Sequence, residues 1–161
     1  MRTVALLLDD EHNRYQQLLA REAQKTAVKY GVTLLPPEFA AGSSWTQIES
    51  INRYLRRPES RPDAVMTTLA GTQPARASFE RLLKAGGAVV FLNRVPPWVD
   101  ELRALFPAAL VTAVAPDQEA IGEVQAQQAS RLAPAGSLLL LVTGDVGGAS
   151  TIARSAGLLR G

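Results

Sequence analysis

Cysteine is absent from this 161-residue sequence, and histidine occurs once, at His12. These gaps exclude a disulfide framework, a thiolate nucleophile and the Cys- or His-rich ligand set of a metal site. An excess of one charge sign is also missing, with 17 basic against 15 acidic residues. The basic side chains are scattered except at Arg53, Arg56, Arg57 and Arg61, a predicted helix end where cations complement the dipole. That is not the patch that nucleic acid requires, so no direct nucleic-acid contact is expected. No apolar run approaches the ~20 residues of a membrane span, and membrane insertion is not expected. Val4–Leu8 runs into Asp9-Asp10 without the length or cleavage site of a signal peptide, so an exported protein would have lost its signal before this segment. Nucleophile elbows of the Gly-x-Ser-x-Gly type are lacking. His12, alone before a helix, reads as a solvated loop residue rather than a general base. No catalytic residue, metal or cofactor is predicted.

What is present is the composition of a folded domain, 47% hydrophobic and 20% charged. The chain alternates short aliphatic runs with helical periods. Thr3–Leu8 reads as a buried strand, followed by apolar residues at helical spacing from Tyr15 to Tyr30 and a stop at Gly31. Val32–Leu35 is a second strand closed by Pro36-Pro37, and Thr46 with Glu49 forms a capping box for a helix carrying Ile48, Ile51 and Leu55. Asp63–Thr67 is a third strand, and Pro74 suits the first turn of a helix with Phe79, Leu82 and Leu83 that ends at Gly86-Gly87. Ala88–Leu92 and Leu110–Val114 are the next two strands, with a short helix after Trp98 between them. Asp117 caps a helix whose inner side is Ile121, Val124, Gln128 and Leu132; Ser137–Val142 is a sixth strand, and a last helix starts at Ser150. Alternation without hairpin turns predicts an α/β fold with a doubly wound parallel sheet.

In such a sheet ligands sit at the carboxyl ends of the strands. Those positions hold Asp9, Asp10 and Asn13, then Thr67, Thr68 and Gly71, then Asn93 and Arg94, then Asp117 and, beyond a glycine loop, Arg154. Amides, carboxylates and guanidiniums together suit the hydroxyls of a neutral polyol. Tyr15 has two readings, a ring stacked on a sugar face or a core residue, and Asn93-Arg94 can equally close a turn. A phosphoacceptor receiver shares the acidic start Asp9-Asp10-Glu11, but the third strand here ends in Thr67-Thr68 with no terminal Asp. The loop Gly144–Gly148 lacks both the dinucleotide and the P-loop spacing, so a tight turn is expected there.

Taken in order, these residues resemble the type I periplasmic-binding-protein superfamily, in its sugar-binding, ribose-receptor-like branch. The resemblance is carried by Val4–Leu8 with Asn13-Arg14-Tyr15, by Pro62-Asp63-Ala64-Val65 and by Val89–Leu92 with Asn93-Arg94. It continues through Asp117 and Gly122 to Thr143-Gly144, Ala153-Arg154 and Gly157. It implies a first lobe over residues 1–116 and the incomplete start of a second over 117–161, the two lobes closing on a sugar. Asn13, Asn93 and Arg94 would bind sugar hydroxyls, Tyr15 would stack, Arg154 would contribute from the second lobe, and Asp117 would support the hinge, cap a helix or touch ligand. Two departures concern the ligand: Gln16 stands where a second aromatic is usual, and Asn93 where an acidic residue is common. Trp98 is a candidate for the missing aromatic face.

The resemblance implies a non-enzymatic solute-binding domain that delivers a sugar to an ABC transporter permease, in the periplasm or outside the cytoplasm. Other uses of such a domain are the effector half of a lac-repressor-type regulator, which would be cytoplasmic, and a sugar-sensing signalling domain. At this length the chain is expected to be a fragment with exposed apolar edges and weak or no sugar affinity alone.

Overall fold

Burial on both sides of the first strand organises the sheet and the helices that cover it. The computed structural model describes residues 2–70, 75–134, 136–143 and 148–161. Gly71, Pro74 and most of the loop at 144–147 lie outside the described residues. The chain divides into two compact units, Met1–Ala115 and Pro116–Gly161.

In the first unit, β1 (Thr3–Leu8) leads into α1 (Arg14–Tyr30). Gly31 ends α1 at φ 64°, a left-handed conformation that glycine adopts without steric penalty. The expected second strand is two short ones, β2 (Thr33–Leu34) and β3 (Glu38–Phe39), both parallel to β1. The reason is Pro36-Pro37 between them, since proline has no N–H to give to the ladder. Next come α2 (Ser44–Arg56), a single 3-10 turn at Pro58–Ser60, β4 (Ala64–Thr67) and α3 (Arg76–Lys84). Then β5 (Ala88–Leu92), α4 (Val99–Leu105) and β6 (Val111–Val114) complete the unit. The cap of α2 is Ser43, whose Oγ accepts the Thr46 N–H at 3.4 Å. The predicted Thr46–Glu49 box is therefore replaced: Thr46 lies inside the first turn, and Glu49 pairs with Arg56.

The sheet order is β2-β1-β4-β5-β6, with every pairing parallel. The chain winds outward from β1 in one direction and, after β3, in the other, so the winding reverses between β1 and β4. Strand alternation sends Ala5, Leu7, Val65, Val89 and Phe91 to one face, against Ile48 and Ile51 of α2, Phe79 and Leu82 of α3 and Leu102 of α4. Leu6, Leu8 and Leu92 face the other way, onto Leu19, Ala20 and Ala23 of α1. Trp98 is 3% exposed and packs edge-on to Phe91 at 5.4 Å, with Phe79 at 6.1 Å. It is a core residue and not the aromatic face of a site, because the chain after β5 turns back under the sheet into α4.

One polar knot ties β3 to α2. The Glu38 carboxylate accepts from Ser50 Oγ at 2.6 Å, Tyr54 Oη at 2.5 Å and Arg53 Nη2 at 2.5 Å. Burial pushes this carboxyl up, but the hydrogen bonds from Ser50, Tyr54 and Arg53, with the Arg53 charge, outweigh it and hold the pKa below its ordinary value.

The second unit contains α5 (Gln118–Leu132) and α6 (Ala149–Arg160). Their contact runs through glycines. A Cβ on Gly157 would collide with the Glu119 carbonyl, and one on Gly122 with the Arg154 carbonyl. The face of α5 that meets α6 is therefore Glu119, Gly122, Glu123 and Ala126; of the residues expected on the inner side of this helix, Val124 is 50% and Leu132 86% exposed. Small residues at this crossing let the backbones touch. Ser137–Val142 forms no strand either. Its leucines are exposed, and a strand needs a neighbour for its ladder, which the described residues of this unit do not provide.

Glu38 and Gly157 each make a testable contribution. Glu38→Gln lowers stability at pH 7 by about 1 kcal/mol, the scale of a weakened charge-assisted bond at a partly exposed site. Because the folded-state pKa is depressed, wild type loses that margin as pH falls below about 4.5, the ordinary value; urea melts of both proteins at several pH values check it. Gly157→Ala separates α5 from α6 and reduces the helical signal of the second unit, whereas Ala156→Gly on the exposed side costs only about 1 kcal/mol in helix propensity; far-UV circular dichroism distinguishes them.

Candidate functional site

Parallel strands bring their carboxyl ends to one edge, and ligands of open α/β sheets bind where the winding reverses. Here that is the crevice between β1 and β4. Asp9 comes directly after β1. Its N–H donates to Gln16 Oε1 at 2.6 Å and to Thr68 Oγ1 at 3.1 Å, and the Thr68 hydroxyl donates to the same Gln16 oxygen at 2.9 Å. Gln16 and Thr68 are buried, so this triangle locks the first turn of α1 onto the ends of β1 and β4. On the far side of Thr68 a second buried amide does similar work. Gln47 Nε2 donates to the Thr68 carbonyl at 2.6 Å and Gln47 Oε1 accepts the Ala70 N–H at 3.0 Å.

The Asp9 carboxylate itself is unspent. Its Oδ1 is buried with no partner among the described residues, as is the Thr67 hydroxyl on the next strand. Burial raises the Asp9 pKa, the Arg94 charge pulls it down, Asp10 pushes it up, and the net shift is upward.

Asn13 caps α1: its Oδ1 accepts the Tyr15 N–H at 2.9 Å and the Gln16 N–H at 3.4 Å. Tyr15, in the first turn of α1, is 50% exposed, so it is not a core residue. After β5, Asn93 takes φ 66°, a left-handed conformation that asparagine tolerates better than most side chains. The Asn93 N–H continues the ladder to the Val114 carbonyl at 2.8 Å, and the Arg94 N–H turns back to the Leu92 carbonyl at 2.8 Å. The turn aims the Arg94 side chain across the sheet edge, where Nη1 donates to the Leu69 carbonyl at 3.3 Å. Thus Asn13, Tyr15, Asn93 and Arg94 all lie at the carboxyl edge of the first unit, two after β1 and two after β5, with the end of β4 between them.

Asp117 and Arg154 belong to the second unit. Asp117 Oδ1 caps α5, accepting the Glu119 N–H at 3.1 Å and the Ala120 N–H at 3.0 Å. Arg154 on α6 donates Nε to Gln118 Oε1 at 2.5 Å, so both candidates are fastened to the start of α5. His12 is exposed: its N–H donates to Asp10 Oδ1 at 2.9 Å, and its ring Nε2 lies 3.8 Å from the Glu11 carboxylate. No group of three or more potential metal ligands occurs among the described residues.

Gln16 and Gln47 are the residues of this edge that do not stand out in the sequence. Gln16 reads there only as a missing aromatic; its helical phase, one step beyond Tyr15, is the signal that it points inward.

No protein-family model matches this sequence, and no curated protein does. Solved structures do. A solute-binding protein of an ABC transporter from Actinobacillus succinogenes with bound D-allose superposes with a TM-score of 0.83 at 18% identity, over 99% of this chain and 54% of its own. The myo-inositol-binding protein of Caulobacter gives 0.78 at 22%, over 98% and 49%. A periplasmic ribose ABC transporter protein from Conexibacter woesei gives 0.83 at 13%, over 99% and 49%. The fold is that of the type I periplasmic binding proteins. This chain spans about half the length of the periplasmic binding proteins it matches.

The uncompensated carboxylate makes a stability prediction. Asp9→Asn raises stability at neutral pH by a few tenths to about 1 kcal/mol, since a buried amide oxygen is less costly to leave unpaired than a carboxylate. The raised folded-state pKa means the unfolded chain gives up this proton first, so wild type weakens as pH rises above about 3.8. The variant's advantage therefore vanishes in acid, opposite to Glu38, and paired denaturant melts at pH 3 and pH 7 read it.

Proposed function

We propose that this chain is part of a solute-binding domain for a neutral sugar or polyol, with residues 1–116 acting as its first lobe and 117–161 as the opening of a second. Its role is binding rather than catalysis. The ligand goes on to an ABC transporter permease, outside the cytoplasm. The observation that carries this is the edge between β1, β4 and β5. A half-exposed tyrosine, a capping asparagine, a left-handed Asn93 and an arginine reaching across β4 share that edge with a carboxylate whose Oδ1 has no partner among the described residues. Carboxylate and amide oxygens accept from hydroxyls, guanidinium and amide N–H groups donate to them, and an aromatic face covers the C–H side of a sugar ring. Support comes from relatives of the same fold whose bound molecules are D-allose and myo-inositol.

On this proposal Asn13, Asn93 and Arg94 bind hydroxyls, Tyr15 stacks on the ring, and Asp117 and Arg154 are the contribution of residues 117–161. One lobe supplies a fraction of the contacts, so affinity of the 161-residue chain falls in the millimolar range. Titration of the 15N-labelled chain with D-ribose, D-allose, L-arabinose and myo-inositol, up to about 0.1 M, is expected to give saturable shifts confined to the amides of residues 9–16, 68–70 and 93–94 for at least one of them. Tyr15→Ala abolishes those shifts while leaving the rest of the spectrum in place. Absence of any localised shift across the panel overturns the proposal.

A further inference from the structure

Polar groups that hold a protein together are normally spent on one another, and at the β1–β4 crevice every buried side-chain one among the described residues is spent except two. Gln16 Oε1 takes the Asp9 N–H and the Thr68 hydroxyl. Gln47 spans the Thr68 carbonyl and the Ala70 N–H, and Arg94 is bonded to the Leu69 carbonyl. The exceptions are Asp9 Oδ1 and Thr67 Oγ1. For the carboxylate the arrangement is unfavourable to folding, because one oxygen is sealed from water without a donor. The other oxygen, Oδ2, is neither sealed nor bonded among the described residues. The Arg94 charge acts on Asp9, yet the two form no ion pair within 4.0 Å among the described residues.

We infer that Asp9 is a ligand-contacting hydroxyl acceptor of this site and that Gln16 is the positioning residue that presents it. The inference rests on the proposed sugar reading and deepens it by naming the acceptor and the ligand charge it selects. The Gln16 carboxamide grips the backbone of Asp9 rather than its side chain, so the residue is held at the strand end while its carboxylate is left free. Asp9 accepts one hydroxyl while Arg94, close enough for its charge to act on Asp9, donates to the oxygen of another. A fixed, partly desolvated negative charge also repels an anionic ligand. The ligand class is therefore a neutral polyol, with its acid form excluded.

The test compares wild type, Asp9→Asn, Gln16→Met and the double variant by the same titration, using D-galactose and D-galacturonate beside the four neutral polyols. Asp9→Asn is expected to weaken the best neutral polyol roughly ten- to a hundredfold, the scale of a charge-assisted hydrogen bond, and to narrow or reverse the preference for galactose over galacturonate by at least about tenfold. Gln16→Met keeps the side-chain volume and removes the acceptor. It is expected to weaken binding as well, and the double variant to bind no worse than Asp9→Asn alone, because Gln16 acts through Asp9. Should Gln16→Met fail to fold, the Asp9→Asn selectivity decides alone. Binding by wild type with Asp9→Asn unchanged in affinity and selectivity overturns this inference and leaves the sugar reading standing. Wild type binding no polyol overturns both.

Discussion

A strand that is apolar on both sides has no place for a polar residue along its length, so its first charge is forced to its end. β1 is such a strand, with Ala5–Leu8 all buried. It pairs with β4 on one side and with β2 and β3 on the other. Asp9 therefore emerges where the sheet's winding reverses, at the carboxyl edge, where backbone groups from neighbouring strands run out of ladder partners. The rest of the site is arranged around that exit. Gln16, Thr68 and Gln47 supply the hydrogen bonds that the ladder no longer provides, and Arg94 reaches over from β5.

Buried amides suit this task better than charges would. A carboxamide offers an acceptor and two donors in one rigid plane without a net charge to desolvate. Gln16 uses its oxygen for two donors, and Gln47 uses both ends to bracket the chain leaving β4. The carboxylate at Asp9 is thus held by its backbone, and its charge stays uncommitted. Glu38 shows the contrasting use of the same chemistry: three donors converge on it and its charge serves the fold.

Much of the first unit was legible in the sequence. The bounds of Thr3–Leu8 and Ala88–Leu92 come from aliphatic runs closed by polar residues, and Gly31 stops α1 as its position suggests. The elements missed depend on what the chain meets in three dimensions. Pro36-Pro37 closes one strand, but only the neighbouring β1 allows pairing to resume at Glu38. Five apolar residues from Leu138 look like a strand and form none, because a ladder is a property of two segments. Trp98 sits beside a polar pair in sequence and inside an aromatic cluster in space. Asp117 reads as a helix cap from its place before a helical period, whereas the same role of Asn13 comes from the structure. The inward turn of Gln16 could not be read with its purpose, because a buried glutamine is explained only by the partners that tertiary structure brings to it.

The left-handed backbone at Asn93 limits how such a site can change over generations. Glycine, asparagine and aspartate are among the residues that settle most readily at that φ, so this position favours a short alphabet. Substitution within it exchanges an amide for a carboxylate or removes the side chain, whereas a branched or aromatic residue there carries backbone strain. A lineage altering its ligand would therefore tune polarity at residue 93 and must look for new apolar surface at places with ordinary backbone, such as residue 15 in α1.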